Sequence, residues 1–406
     1  MKKLAFVISG KSPITIPGGL GAYSYNVAKI LHSLNYQVFI LGFSTREEMV
    51  DLEFATLVHF VNPYDKLLGL GSIIAASFFV ARMEALAGEN PAEEIVVFSA
   101  GIWGIAGINF KKKLAKKNIP VKTLVGYFTT HKHEYHGHVI GAPAKDYGWP
   151  QALFIKTAYL FARLVYSPVE NKLLTATDTV VVHYESTRNI LLEEFKQLKR
   201  EKVVKVPYYI ELYDRQSEVR FVKGASKPDA IPTVTVICRQ DPRKGINTFL
   251  KAVRLVRDRG VSFNCTIAGS GVFLQQNKRL AEKLGLRDFV SFPGFVDSVD
   301  KALDDTEIYV LPSVEEGSGA ISLLEAMKKG VAILTTLCDG IPEDFNNYET
   351  GVLVPPNHPK EMADALERLI RDKDLRQRLS DNVRRNYHER FSFEQMKNGI
   401  QNTLDR

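Results

Sequence analysis

Short apolar runs bounded by glycine, proline or polar residues recur along this chain, and several are followed by stretches in which apolar residues return every three or four positions. Leu4 to Ile8, closed by Gly10 and Pro13, is the first. A run that short and unbroken suits a strand buried on both faces of a parallel sheet. Leu20, Tyr23, Val27, Ile30, Leu31 and Leu34 then mark the buried face of a helix. Strands are expected again at Gln37 to Leu41, Ile95 to Phe98, Lys122 to Phe128 and Thr179 to Val182. Leu67 to Ala81 carries no charge but falls short of the about 20 residues a membrane span needs, so it reads as a buried helix.

From about Tyr208 to Pro232 the periodicity fails and the segment turns polar, as a linker does. A second series follows. Its strands are expected at Thr233 to Cys238, Asn264 to Ala268, Val290 to Phe292, Ile308 to Leu311 and Ala332 to Thr335, with helices between them. A charge-rich helical tail runs from Pro359 to Arg406. Strand and helix in alternation build a parallel sheet covered on both faces. The 406 residues also exceed the roughly 250–300 at which one core stops growing. The pattern therefore predicts two Rossmann-like, doubly wound α/β domains, residues 1–214 and 215–385.

Charge modifies this picture only locally. Lys+Arg number 53 and Asp+Glu 46, and residues 1–214 hold 24 of the basic and 19 of the acidic side chains. Nucleic acid is not an expected partner. An acidic acceptor, or a weak peripheral membrane contact through the basic N-terminal domain, stands beside the plainer reading of solvated faces. Lys111, Lys112, Lys113, Lys116 and Lys117 read first as a solvated helix end, with a membrane-surface patch as the alternative. Cys238, Cys265 and Cys338 are scattered and make neither a disulfide frame nor a metal set, which suits a cytoplasmic protein with reduced thiols. The opening MKKLAFVISG has too short an apolar run for a signal peptide and is taken as the first strand.

The chemistry concentrates in Val310 to Gly330, where a strand end passes two carboxylates and a Gly-Ser-Gly turn before a helix begins. Strand, glycine turn and helix in that order make an anion site: glycine lets backbone N–H groups approach a ligand, and the helix dipole favours phosphate. Glu316 and Glu325 suit sugar or ribose hydroxyls, so the stretch reads as a nucleotide-sugar site. Arg239 and Lys244 follow one strand and precede a helix, where ligands of open α/β sheets gather, and are placed to meet a diphosphate. Arg243, between them, is expected to face solvent. Gly18, Gly19 and Gly21 lack the G-x-G-x-x-G spacing, which speaks against NAD, but they open a helix and offer backbone donors. The cluster His131 to His138 reads H-E-x-H, not H-E-x-x-H, and has no Cys or Asp beside it, so no metal is expected. His131, just after a first-domain strand, is expected to project into a cleft, and the segment on to Pro150 reads as a loop.

With these pieces in place, the chain resembles glycosyltransferase family 4, retaining nucleotide-sugar transferases of the GT-B fold. The family's P-S-x-x-E-G-x-G followed by L-L-E-A-M stands here as Pro312 to Gly319 and Leu323 to Met327. Arg239 with Lys244-Gly245 resembles its R-x4-K-G motif, Gly269-Ser270-Gly271 its G-x-G, and Asp339 to Glu343 its G-x-P-E. The resemblance implies two domains facing across a cleft, the first completed by a C-terminal helix over 386–406, with a donor on the second and a saccharide, lipid or protein acceptor on the first. It implies front-face displacement with retention, a UDP-linked donor, no metal and no cofactor beyond the donor itself. On that implication Gly18, Gly19, Gly21, Gly269, Gly271, Gly317, Ser318, Gly319 and Ala320 line the donor. Glu325 holds the ribose, Glu316 the donor sugar, Arg239 and Lys244 the leaving diphosphate, and His131 steadies the sugar as positive charge develops.

Three departures accompany the match. Eight residues lie between Glu316 and Glu325 where the family has seven, Cys238-Arg239 replaces G-R, and Tyr208-Tyr209 replaces N-G. Two other readings remain open: a sugar-nucleotide epimerase of the same fold, and a non-catalytic partner subunit.

Overall fold

The computed structural model describes residues 2–13, 19–61, 70–209, 231–296 and 298–406. Gly18 and most of the expected linker lie outside them. In chain order the first elements are β1 (Lys3–Lys11), α1 (Gly19–Ser33), β2 (Tyr36–Ser44), β3 (Glu48–Asp51), β4 (Thr56–Val61), α2 (Leu70–Glu89), β5 (Glu94–Ala100), α3 (Gly104–Ala115) and β6 (Val121–Gly126). Next come α4 (His131–Gly141), α5 (Ala144–Tyr147), α6 (Trp149–Phe161), α7 (Ser167–Ala176), β7 (Thr179–Val182), α8 (Glu185–Glu194) and β8 (Val203–Lys205). The second series runs β9 (Thr233–Ile237), α9 (Ile246–Asp258), β10 (Asn264–Ala268), α10 (Leu274–Lys283), β11 (Val290–Gly294), α11 (Val299–Ala302), β12 (Ile308–Leu311), α12 (Ile321–Lys329), β13 (Ala332–Thr336) and β14 (Val352–Val354). The last helices are α13 (Pro359–Arg371), α14 (Lys373–Arg390) and α15 (Phe393–Leu404).

β1 to β8 form one sheet in the order β3-β4-β2-β1-β5-β6-β7-β8, parallel except where β3 meets β4. β9 to β14 form a second, wholly parallel sheet in the order β11-β10-β9-β12-β13-β14. Both are Rossmann-like, with the strand order reversing between β1 and β5 and between β9 and β12. The unbroken apolar runs fall where expected, on central strands: every residue of β12 and β13 is buried, as is Leu4 to Ile8 of β1. Phe6, Phe39, Phe79 and Phe110 centre one apolar cluster of the first sheet, and Phe249, Ile267, Val310 and Leu366 belong to the core of the second.

The chain divides into two compact units, residues 1–128, 168–219 and 391–406 in one and residues 129–167 and 220–390 in the other. The sequence reading placed 129–167 in the first domain. Here that segment packs with the second, because its polar side chains pair there: Lys251 Nζ is 2.7 Å from Asp146 Oδ2, and the Tyr147 hydroxyl donates to Asn277 Oδ1 at 2.7 Å. His131 to Pro150 is also not a loop. The Thr130 side chain caps α4 by accepting from the His133 N–H, and the helix starts there. Strands β3, β4, β8 and β14 were not anticipated. β3 and β8 are too short, and too mixed in polarity, to carry a pattern.

Candidate functional site

In the second sheet the loops leaving β9 and β12 carry Arg239 to Gly245 and Pro312 to Ala320. These two strands flank the reversal in strand order, and ligands of open α/β sheets bind outside the carboxyl ends at such a point. The loops are tied together. Val314 N–H donates to Arg243 O at 2.8 Å, and Lys244 Nζ lies 2.5 Å from Glu316 Oε1, which also accepts from the Ser313 hydroxyl. Lys244 and Glu316, expected to meet a donor separately, are thus each other's partner in a buried ion pair. Gly269-Ser270-Gly271 leaves the neighbouring β10 and presses on the first loop. A Cβ on Gly269, at φ +119°, would sit 1.9 Å from Cys238 O, so only glycine permits the approach.

Arg243 does not face solvent. Its side chain is 13% exposed, its Nη1 lies 2.8 Å from Glu315 Oε2, and its Nε lies 3.5 Å from Glu134 Oε1. Two carboxylates converge on it, one from its neighbouring loop and one from α4, and charge pairing decides its direction. Arg239 is the open cation, 57% exposed, bonded to Asp241 and 3.3 Å from the same Glu134 oxygen. Burial alone would raise the Glu134 carboxyl, but Arg243 and Arg239 outweigh it and hold it at about 2. For Glu315 the balance goes the other way: burial raises its carboxyl above the ordinary range despite Arg243.

A third layer comes from Asp339, which has a left-handed backbone at φ +42°. Its Oδ2 accepts from the N–H groups of Glu316 at 2.8 Å and Gly317 at 3.0 Å, and its Oδ1 lies 3.0 Å from His133 Nε2. A carboxylate therefore already sits on the backbone donors that open the glycine turn. His133, Glu315 and Asp339 bring their ligand atoms within 4.8 Å of one another and could hold a metal ion. The histidine cluster, which has no Cys or Asp beside it in sequence, thus acquires Asp339 and Glu315 from the second sheet's loops.

The remaining expected residues are placed as follows. Gly317 and Gly319 have φ of +56° and +76°, Ser318 is buried, and Ala320 is the extended residue before α12. Glu325 lies on α12, one turn from its first residue; burial, assisted by Asp300, pushes its carboxyl up to about 8. His131 is the first residue of α4 and stacks on Tyr166, ring centroids 4.2 Å apart and 7° from parallel. Gly271 lies against the backbone of Gln240. Gly19 and Gly21 open α1 in the first unit, Gly19 exposed and Gly21 buried. Arg243 reads from sequence as solvent-facing, and Glu134, Glu315 and Asp339 are not among the expected site residues. Only the Asp339-Gly340 turn dipeptide and the Glu315-Glu316 doublet offered any signal, and no spacing rule links either to α4.

Residues 219–386 match the family described as Glycosyl transferases group 1. Among curated relatives, a putative colanic acid biosynthesis glycosyltransferase of Escherichia coli (strain K12) is 34% identical over 155 residues, 36% of this chain and 38% of that protein. The alpha-D-kanosaminyltransferase of Streptomyces kanamyceticus is 32% identical over 171 residues, 42% of this chain and 43% of that protein. The similarity thus spans less than half the length of either relative. By structure, the chain is similar over its full length to a sucrose-phosphate synthase from Thermosynechococcus elongatus, with TM-score 0.76, 17% identity and 98% of that chain covered. The two domains have the fold of the GT-B glycosyltransferases.

Proposed function

We propose that this chain, matched over residues 219–386 to the group 1 glycosyl transferases, moves a sugar from a nucleotide-sugar donor to a saccharide, lipid or protein acceptor. We take the donor as UDP-linked, the transfer as retaining and metal-independent, and the setting as cytoplasmic. The observation that carries this reading is the buried Lys244–Glu316 pair at the carboxyl ends of β9 and β12, with exposed Arg239 beside it. A departing diphosphate needs positive charge held where its own charge develops. Lys244 supplies a point charge and Arg239 a planar fork for two oxygens.

Without a ligand, Glu316 balances Lys244. An arriving diphosphate competes for the ammonium, and the freed carboxylate accepts from hydroxyls of the donor sugar. Glu325, which has no cation bonded to it among the described residues, receives the ribose hydroxyls, and the backbone donors of Gly319 and Ala320 lie at the start of α12. His131, held flat by Tyr166, steadies the sugar as it gains positive charge.

The test is a panel of nucleotide sugars ranked by thermal shift, since a ligand bound only by the folded state raises apparent stability, followed by transfer assays with the donor that ranks first. Lys244→Ala is expected to lower turnover by well over about tenfold, as loss of a charge-stabilising group does. Near-normal turnover in that variant would overturn the assignment.

A further inference from the structure

Among the described residues, exposed large hydrophobic side chains gather on α6 and the helical turn after it. Trp149 is 74% exposed, Phe154 72%, Leu153 65% and Leu164 63%, with Leu160 and Phe161 also exposed. At 3.6 residues per turn, Trp149, Leu160, Leu153, Phe161 and Phe154 fall within an arc of about 140°. Ala152, Ile155 and Ala162 face inward on the opposite side and are buried. The polar residue inside the arc, Thr157, bonds its hydroxyl back to the carbonyls of Leu153 and Phe154, both at 2.8 Å. The face thus presents hydrocarbon and aromatic rings. Apolar patches of this kind mark interaction surfaces.

Charge identifies the occupant. From Trp149 to Tyr166 the chain holds Lys156 and Arg163, both exposed, and no acidic residue. Lys156 borders the apolar arc. A second copy of this face would bring like charges together with nothing to neutralise them, whereas anionic headgroups would meet both cations while the rings and leucines enter the acyl boundary. No helix among the described residues is long and apolar enough to cross a membrane, so the contact lies in the plane of the surface. The basic cluster on α3 is a weaker candidate: Lys111 is held by Asp178 and Lys113 by Glu84.

We propose that the exposed face of α6, Trp149 to Leu164 with Lys156 and Arg163 at its edge, docks this protein on an anionic phospholipid surface. The inference stands apart from the proposed sugar transfer and uses none of its residues.

Co-sedimentation with vesicles of phosphatidylcholine, alone or mixed with phosphatidylglycerol, tests it. Binding to the mixed vesicles is expected to be roughly thirtyfold tighter, about fivefold for each cation. It should be lost in Leu153→Glu/Phe154→Glu and fall to the neutral-vesicle level in Lys156→Gln/Arg163→Gln. In a Trp103→Phe background, Trp149 emission should shift blue on binding. These positions are exposed, and unchanged thermal melts will confirm that the variants fold. No partitioning, or partitioning that neither variant alters, overturns the proposal. A dimer in sedimentation velocity that Leu153→Glu/Phe154→Glu dissolves also overturns it, assigning the face to a second copy.

Discussion

Arg243 and Arg239 lie four residues apart and have opposite surroundings. Removing the Arg243 side chain leaves Glu134 and Glu315 without the guanidinium that offsets their burial, which for a buried pair costs about 3–5 kcal/mol. Arg239 is mostly exposed, and its pairs are worth about 1 kcal/mol or less. Urea unfolding should therefore separate Arg243→Ala from Arg239→Ala by several kilocalories, and equal losses would refute the buried network. Glu325 sets a pH dependence. Burial raises its folded carboxyl from an ordinary 4.5 to about 8, so the folded chain retains a proton that the unfolded chain releases between those values. Its contribution favours folding below about 4.5 and is lost as pH rises through 8. Glu325→Gln should accordingly gain stability relative to the parent between pH 5 and pH 8.5, read by urea unfolding, and a pH-independent difference would count against the raised carboxyl.

At the scale of elements, α4 is clasped against the turn that bears Lys244. A Cβ on Gly141 would lie 1.9 Å from Pro242 O, and one on Gly137 would lie 2.5 Å from the Glu315 Cβ. Neither neighbour is the free end of a flexible side chain. Gly141→Ala must push α4 away from the turn, at the roughly 1–3 kcal/mol typical of overpacking. The loss should be accompanied by faster proteolysis within residues 129–167, because the contacts that hold this segment loosen together. Undiminished protection would mean that α4 is not seated as described. A sequence pattern had no means to find this clasp: glycine in a helix reads as a weakness, and the backbone it approaches is distant in the chain.

At the scale of the whole molecule, the last residues belong with the first strands. Phe391–Arg406 joins the first unit, where Met396 and Ile400 are buried and Lys122 Nζ bonds to Leu404 O at 2.5 Å. Each unit holds one of the two tryptophans, Trp103 in the first and Trp149 in the second. Deleting residues 391–406 should therefore lower the unfolding transition followed by Trp103 in a Trp149→Phe background. The transition followed by Trp149 in a Trp103→Phe background should move much less. Equal shifts of both would show that the tail does not belong to the first unit alone.

Two Rossmann-like sheets were legible in the chain because parallel strands bury both faces and so leave unbroken apolar runs such as Leu4 to Ile8 and Ile308 to Leu311. The glycine turn before α12 and the cations after β9 were legible for a similar reason, since each loop's chemistry is contained in a few consecutive residues. Pairing was not legible. Lys244 on Glu316, Arg243 on Glu315 and Glu134, and Asp339 on His133 join residues that no local spacing relates. Their positions follow from strand order and from the packing of 129–167 against the second sheet's loops. Charge neutralisation in a buried place depends on what the fold brings within a few ångströms, and only the tertiary structure decides that.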